Sequence, residues 1–107
     1  MELIKGNFVR WYGVPRRVNN HEVFEIHAGR VPNAKPMPIT SEFLEDRLGF
    51  IHHQGVWTHK TTGFSLQSVT DDNLKVKGFS YTKLPSLVFT EAHELQNFFH
   101  IVTKEKL

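Results

Sequence analysis

The sequence contains no cysteine, which excludes a disulfide framework, thiol catalysis and a thiolate metal site, and agrees with a reducing compartment. No apolar run approaches the roughly 20 residues that a membrane-spanning helix needs. The first nine residues carry Glu2 and Lys5 among few apolar side chains, so no signal-peptide core is read there and the expected location is cytoplasmic, with no membrane partner. Carboxylates are scarce and already explained: Glu42, Glu45, Asp46, Glu91 and Glu94 fall at expected helix starts, and Asp71-Asp72 reads as a turn. Ser41 and Ser65 lack a nucleophile-elbow glycine pattern, and no glycine-rich phosphate loop exists, so no catalytic residue and no cofactor are assigned. A net charge of +2 and a pI near 9.1 are too small to mark a nucleic-acid binder by themselves.

What is present suffices for one core. At 107 residues the chain has the length of a single domain (1–107), and nine Phe and two Trp within a 39% apolar content bury large areas per residue. Positive charge gathers toward the N-terminus: Lys5, Arg10, Arg16, Arg17, Arg30 and Lys35 outnumber Glu2, Glu22 and Glu25 over the first 35 residues.

The pattern predicts an α+β domain. Residues 3–12 are rich in β-formers, Gly13-Val14-Pro15 breaks them, and residues 18–28 resume alternation with Phe24 and Ile26 against Glu25 and His27, an antiparallel hairpin with Arg16 and Arg17 beside its turn. Residues 29–38, with three prolines, read as an irregular connection. Thr40 is placed to cap a short helix whose buried face is Phe43, Leu44 and Leu48, with Ile39 and Leu44 as a hydrophobic staple and Gly49 as its stop. Short strands follow at 50–53, 55–59, 64–69, 74–79 and 84–89, the last an edge strand or strand start because of Pro85. Thr90 then caps a helix over 91–104 with Ala92, Leu95, Phe98, Phe99 and Val102 as its apolar stripe. The expected sum is a mostly antiparallel sheet, SH3-like in one arrangement, with two helices on one face, the longer at the C-terminus.

Several stretches together resemble a known family. Lys5-Gly6-Asn7-Phe8-Val9, Pro38-Ile39-Thr40-Ser41-Glu42-Phe43-Leu44 running to Leu48-Gly49-Phe50, Phe64-Ser65-Leu66, and His93-Glu94-Leu95-Gln96-Asn97 followed by Thr103 are similar, in order and over nearly the full length, to small uncharacterised proteins of gut Bacteroidales and their phages and prophages. Such proteins open on a GN-V strand, carry a PLTEEWL–LGF segment and close on H-LQNLYF-LTGEEL. This chain lacks the glycine of that closing segment and has an unusual Arg16-Arg17 pair. The resemblance implies a phage or prophage accessory protein acting in a bacterial host cell, a setting where small proteins block host defence or regulate phage functions.

The strongest candidate ligand-binding group is Arg10, Trp11, Tyr12, Arg16 and Arg17. Guanidinium forks meet phosphates bidentately and an indole or phenol stacks on a flat base, so a nucleotide-type ligand finds both partners on one hairpin. Alternation nevertheless sets Arg10 and Tyr12 on one face and Trp11 on the other, and the alternative is a core tryptophan beside a solvated turn. Among the seven His, the adjacent His52 and His53 point to opposite strand faces and cannot join His59 around one ion, so no metal is assigned; His93, Asn97 and His100 are expected on a solvent or partner face. The expected function is non-enzymatic capture of a small phosphorylated ligand such as a host immune signal, in a pocket built between protomers of a homo-oligomer. The alternatives are a DNA- or RNA-binding surface and a protein inhibitor of a host factor.

Overall fold

Tyr12 and Gly13 both take positive φ, 50° and 83°, between the directly paired Trp11 and Val14. This two-residue type I′ arrangement matches the twist of the strands it joins. It fixes a tighter ribbon than the expected one: β1 (Phe8–Trp11) and β2 (Val14–Arg17) form the hairpin, and Val14 and Pro15 already belong to its second strand. Pro15, without an N–H, is tolerated because β2 lies at the edge of its sheet. The structure, a computed structural model, describes residues 2–107.

The segment expected as the second strand is instead a helix, α1 (Asn20–His27). Asn19 accepts from the Glu22 backbone N–H at 2.8 Å, while the Glu22 carboxylate accepts from the Asn19 N–H at 3.1 Å. This reciprocal cap outweighs the apparent alternation, because Val23 and Ile26, three residues apart, turn inward while Phe24 faces solvent. The connection expected to be irregular contains β3 (Ala34–Pro36), which pairs with β1 and completes a three-stranded antiparallel sheet in the order β2-β1-β3. Two prolines flanking so short a strand hide it from any periodicity.

The next helix, α2 (Ser41–Asp46), is capped as its sequence dictates: the Thr40 hydroxyl accepts from the Phe43 N–H at 3.1 Å, and Ile39 and Leu44 are both buried. A five-stranded antiparallel meander follows: β4 (Phe50–His53), β5 (Val56–His59), β6 (Ser65–Thr70), β7 (Val76–Tyr81) and β8 (Leu84–Phe89), hydrogen-bonded in that order. Asp71 organises the β6–β7 turn, its Oδ1 accepting from the N–H groups of Asn73 (2.8 Å) and Lys75 (3.0 Å). Helix α3 (Ala92–Thr103) begins one residue later than expected, with Glu91 at its cap.

The α+β class, the mostly antiparallel strands and the long C-terminal helix are thus as the sequence predicts, but the strands divide into two sheets and the described helices number three. The main core lies between the meander and α2 and α3, around Phe50, Leu66, Phe79, Leu95 and Phe99. A smaller cluster of Leu3, Val9 and Val18, joined by Trp11, Val23 and Ile26, attaches α1 to the N-terminal sheet. None of the helices is long and apolar enough to cross a membrane.

Candidate functional site

Cross-strand partners share a face, so the register sorts the candidate residues. Val9 faces Arg16 and Pro36, and Trp11 faces Val14 and Ala34; Phe8 faces Arg17, and Arg10 faces Pro15 and Lys35. One face therefore carries Trp11 and Arg16 against α1. The other carries Arg10, Arg17 and Lys35, with Phe8 entering the main core edge-on to Phe43 at 5.0 Å.

The two adjacent arginines consequently do different things. Arg16 is engaged on the α1 side: its Nε donates to Glu22 at 2.7 Å, its Nη2 lies 2.6 Å from the same carboxylate, and its guanidinium sits 5.1 Å from the Trp11 ring centre. Trp11 packs on the small apolar cluster, and Tyr12, 64% exposed at the turn, is tilted against it. Arg16, Trp11 and Tyr12 thus meet one another but not Arg10 or Arg17. Of the five residues singled out in the sequence, Arg17 lines a cavity.

That cavity, about 260 Å³, opens between the loop leading into β1, the end of β2 and the second half of α3, and continues along residues 106–107. Its cations are Lys5, Arg17 and Lys106, and no Asp or Glu side chain lines it. Its floor is a fixed amide network. Asn7 Oδ1 accepts from the Ile4 N–H at 2.8 Å, so Asn7 Nδ2 is the donor to Asn97 Oδ1 at 3.0 Å. Gln96 accepts from the Phe8 N–H at 2.8 Å and donates to the Gly6 carbonyl at 3.1 Å, locking the loop at Gly6 to α3. Buried amides with both ends satisfied hold their side chains in one orientation.

Arg17 is positioned by the same carbonyl. Its Nη1 donates to Gly6 O at 3.1 Å and Leu107 O at 2.7 Å, and its guanidinium lies 4.3 Å from the centre of the Phe8 ring. Nε and Nη2, the edge that meets a phosphate or carboxylate bidentately, take no part in these bonds. Partial burial disfavours the charged form and pulls the guanidinium below its ordinary pKa, while it stays ionised at neutral pH. The ion pairs among the described residues are Arg16–Glu22, Arg30–Glu25 and His21–Glu25, so none belongs to Arg17, Arg10 or Lys35. Arg10 and Lys35 stand directly opposite each other, a like-charge pairing that costs stability unless an anion neutralises it.

The histidines occupy separate surroundings. His52 stacks on Trp57 at 4.3 Å, His53 lies on the opposite strand face, and His59 turns inward, its ring edge-on to Phe99 at 4.8 Å and its Nδ1 3.1 Å from the Thr62 hydroxyl. No three His, Asp or Glu gather as metal ligands among the described residues. His93, expected toward solvent, is buried with Gln96 on α3, and its Nδ1 makes no hydrogen bond to any described residue. His59 and His93 are both pulled below the usual histidine value by burial, which nearby carboxylates oppose.

These two shifts set the direction of a pH effect. Unfolded histidine titrates near ~6.5, and the folded values lie lower, so below that pH the unfolded chain takes up protons first. Stability is complete above about pH 6.5, falls as the pH drops toward the folded values, and stops falling on their account below them. Urea midpoints measured from pH 7.5 to 5.0 are expected to decrease through this window, and His93→Gln is expected to flatten the decrease. Midpoints that stay constant or rise on acidification would contradict the burial assigned to these rings.

The chain matches no known protein family, curated protein or solved structure. The site therefore stands on its own residues. Sequence reasoning found Arg17 and noted Asn97 and His100, but it missed the roles of Lys5, Asn7, Gln96 and Lys106. They come from the two ends of the chain and meet only through the packing of β1 on α3. The available signal was polar: Asn97 and Gln96 sit next to the apolar stripe of α3, where an amide is retained when it has a partner to bond.

Proposed function

We propose that this chain is a non-enzymatic binding protein, of the phage and prophage accessory type its sequence resembles, that captures a small phosphorylated ligand in the cleft between β1, β2 and α3. The observation that carries this reading is the state of Arg17. It is a guanidinium fixed through Nη1 to the Gly6 carbonyl and the main-chain oxygen of Leu107, with no Asp or Glu partner and with Lys5 and Lys106 on the same cavity. Three cations on one cavity repel one another, and an anion entering the cleft relieves that repulsion. The cleft is built within one chain, so the reading needs no second protomer. The fork would hold the phosphate and the two lysines would neutralise it, while the amide floor keeps them in place.

A second reading has its own support. Arg10, Lys35 and Arg17 share one face of the N-terminal sheet, and a row of cations suits the spaced phosphates of a nucleic-acid strand. The two readings differ in salt dependence and in ligand size.

A thermal-shift panel of inorganic pyrophosphate, ribonucleoside mono- and diphosphates, cyclic nucleotides and short oligonucleotides tests both. Capture in the cleft predicts that at least one small phosphorylated compound raises the melting temperature, equivalent to about 2.7 kcal/mol at a ligand concentration 100 times Kd. A response confined to oligonucleotides that collapses steeply with added salt would replace the first reading by the second. No response to any of these compounds would remove both.

A further inference from the structure

Besides its three cations, two polar groups of the cleft remain after its internal bonds are assigned, and their chemistry is determined by those bonds. Because Asn97 Oδ1 accepts from Asn7, the Asn97 amide nitrogen is the end left over, with two hydrogens to donate. On the next turn, His100 Nδ1 lies 3.1 Å from the Glu105 carbonyl, which can only accept, so Nδ1 carries the proton and Nε2 of the neutral ring is an acceptor. Both residues line the cavity. Three apart on α3, they stand about 5–6 Å apart at Cβ on one side of the helix. Ile4, a cavity wall residue still 53% exposed, adds an apolar surface at the same opening.

A donor beside an acceptor is complementary to a planar edge that offers an acceptor beside a donor. Every nucleobase has such an edge, whereas a bare phosphate, a pyrophosphate or a sugar phosphate has none of that planarity. The apolar Ile4 side chain would cover part of the ring face. A cavity of about 260 Å³ falls just below the ~300–1,000 Å³ of sites that enclose drug-sized ligands, which suits one phosphorylated nucleoside better than a dinucleotide. Resting on the phosphate-capture reading, we infer that the ligand is a nucleoside monophosphate whose base edge is read by Asn97 and His100 while its phosphate is held at Arg17, Lys5 and Lys106.

The test compares ribose 5-phosphate with the four ribonucleoside 5′-monophosphates by calorimetry at pH 8, on the wild-type chain and on Asn97→Asp and His100→Phe. Asn97→Asp keeps the oxygen that accepts from Asn7 and replaces the free donor by an acceptor. The ratio of nucleotide to ribose 5-phosphate affinity is the readout, since the added charge weakens both ligands and largely cancels. For at least one base the ratio is expected to exceed tenfold in the wild-type chain and to approach one in each variant, with ribose 5-phosphate still bound. Wild-type ratios near one for all four bases would overturn the base assignment and leave phosphate capture standing. A large ratio that survives both substitutions would also overturn it, placing base recognition elsewhere. If neither ribose 5-phosphate nor any nucleotide binds, both readings fall together. Should Asn97→Asp fail to fold, His100→Phe decides alone, because the His100 bond to Glu105 lies at the periphery of the fold.

Discussion

Replacing Phe99 by alanine is expected to lower the free energy of unfolding by about 3–5 kcal/mol. Phe99 is fully buried, with its ring 5.1 Å from Phe64 and 4.8 Å from His59, at the point where α3 covers the five-stranded sheet. Truncation removes the transfer energy of the ring and leaves a cavity that its rigid aromatic neighbours fill poorly. For a domain of this length each kcal/mol shifts the melting temperature by about 4–8 °C, so a fall of more than about 12 °C is expected, with the urea m-value unchanged if the transition remains two-state. Val102→Ala on the same helix supplies the contrast. The sequence pattern placed Val102 on the same apolar stripe, yet it is 44% exposed, and its truncation is expected to change stability by about 0.5 kcal/mol or less. Equal losses for the two variants would contradict the orientation of α3.

The second large effect concerns binding. Arg17→Ala is expected to weaken a phosphorylated ligand by about 10- to 150-fold, the equivalent of the roughly 1.5–3 kcal/mol carried by hydrogen bonds to charged groups. Arg17→Lys keeps the positive charge but not the planar fork, and it is expected to recover only part of that loss. Arg16→Ala is expected to leave affinity within about twofold, since its guanidinium is already committed to Glu22 and Trp11 on the opposite face of the sheet. Titration calorimetry of the three variants, each checked for a retained melting transition, measures this directly. A loss at Arg16 equal to that at Arg17 would mean that the ligand lies on the turn rather than in the cleft. Because Arg17 also bonds Gly6 O and Leu107 O, some loss of stability accompanies its removal. Binding is therefore compared well below the melting temperature of each variant.

Much of this fold is legible in the sequence, and the exceptions have physical reasons. The central strands, the Thr40 cap and the Asp71 turn follow from local signals that tertiary structure did not override: alternation, a hydroxyl ahead of a helix, an Asx side chain bonding its own backbone. Residues 20–27 imitate a strand through Phe24 and Ile26 against Glu25 and His27, while the deciding signal is the Asn19–Glu22 pair, whose two reciprocal bonds cap the N-terminus of a helix. Once those residues are helical, the second strand of the hairpin falls on Val14–Arg17, and Arg16 and Arg17 move from a turn to opposite faces of a strand.

The site was less legible for a related reason. Arg17 was visible as a cation, but nothing local distinguishes it from Arg16; the register alone sends one toward α1 and the other toward α3. Its companions Lys5 and Lys106 are separated by almost the whole chain and are brought to one cavity by the Asn7–Asn97 and Phe8–Gln96 bonds. Such long-range polar contacts leave no periodic trace in a sequence. The amides on α3 signal only that some partner exists, and the packing of β1 supplies it.

The most direct measurement is a titration of the uniformly 15N-labelled chain with inorganic pyrophosphate at low salt, following backbone amides and the Arg17 Nε–H by NMR. Saturable shifts are predicted at Gly6, Asn7, Asn97 and Lys106 together with the Arg17 side chain, and Arg16 Nε–H is predicted to stay unmoved on Glu22. Shifts that never saturate, or that centre on Arg10 and Lys35 while Arg17 and Asn97 remain fixed, would contradict the assignment of this cleft as an anion site.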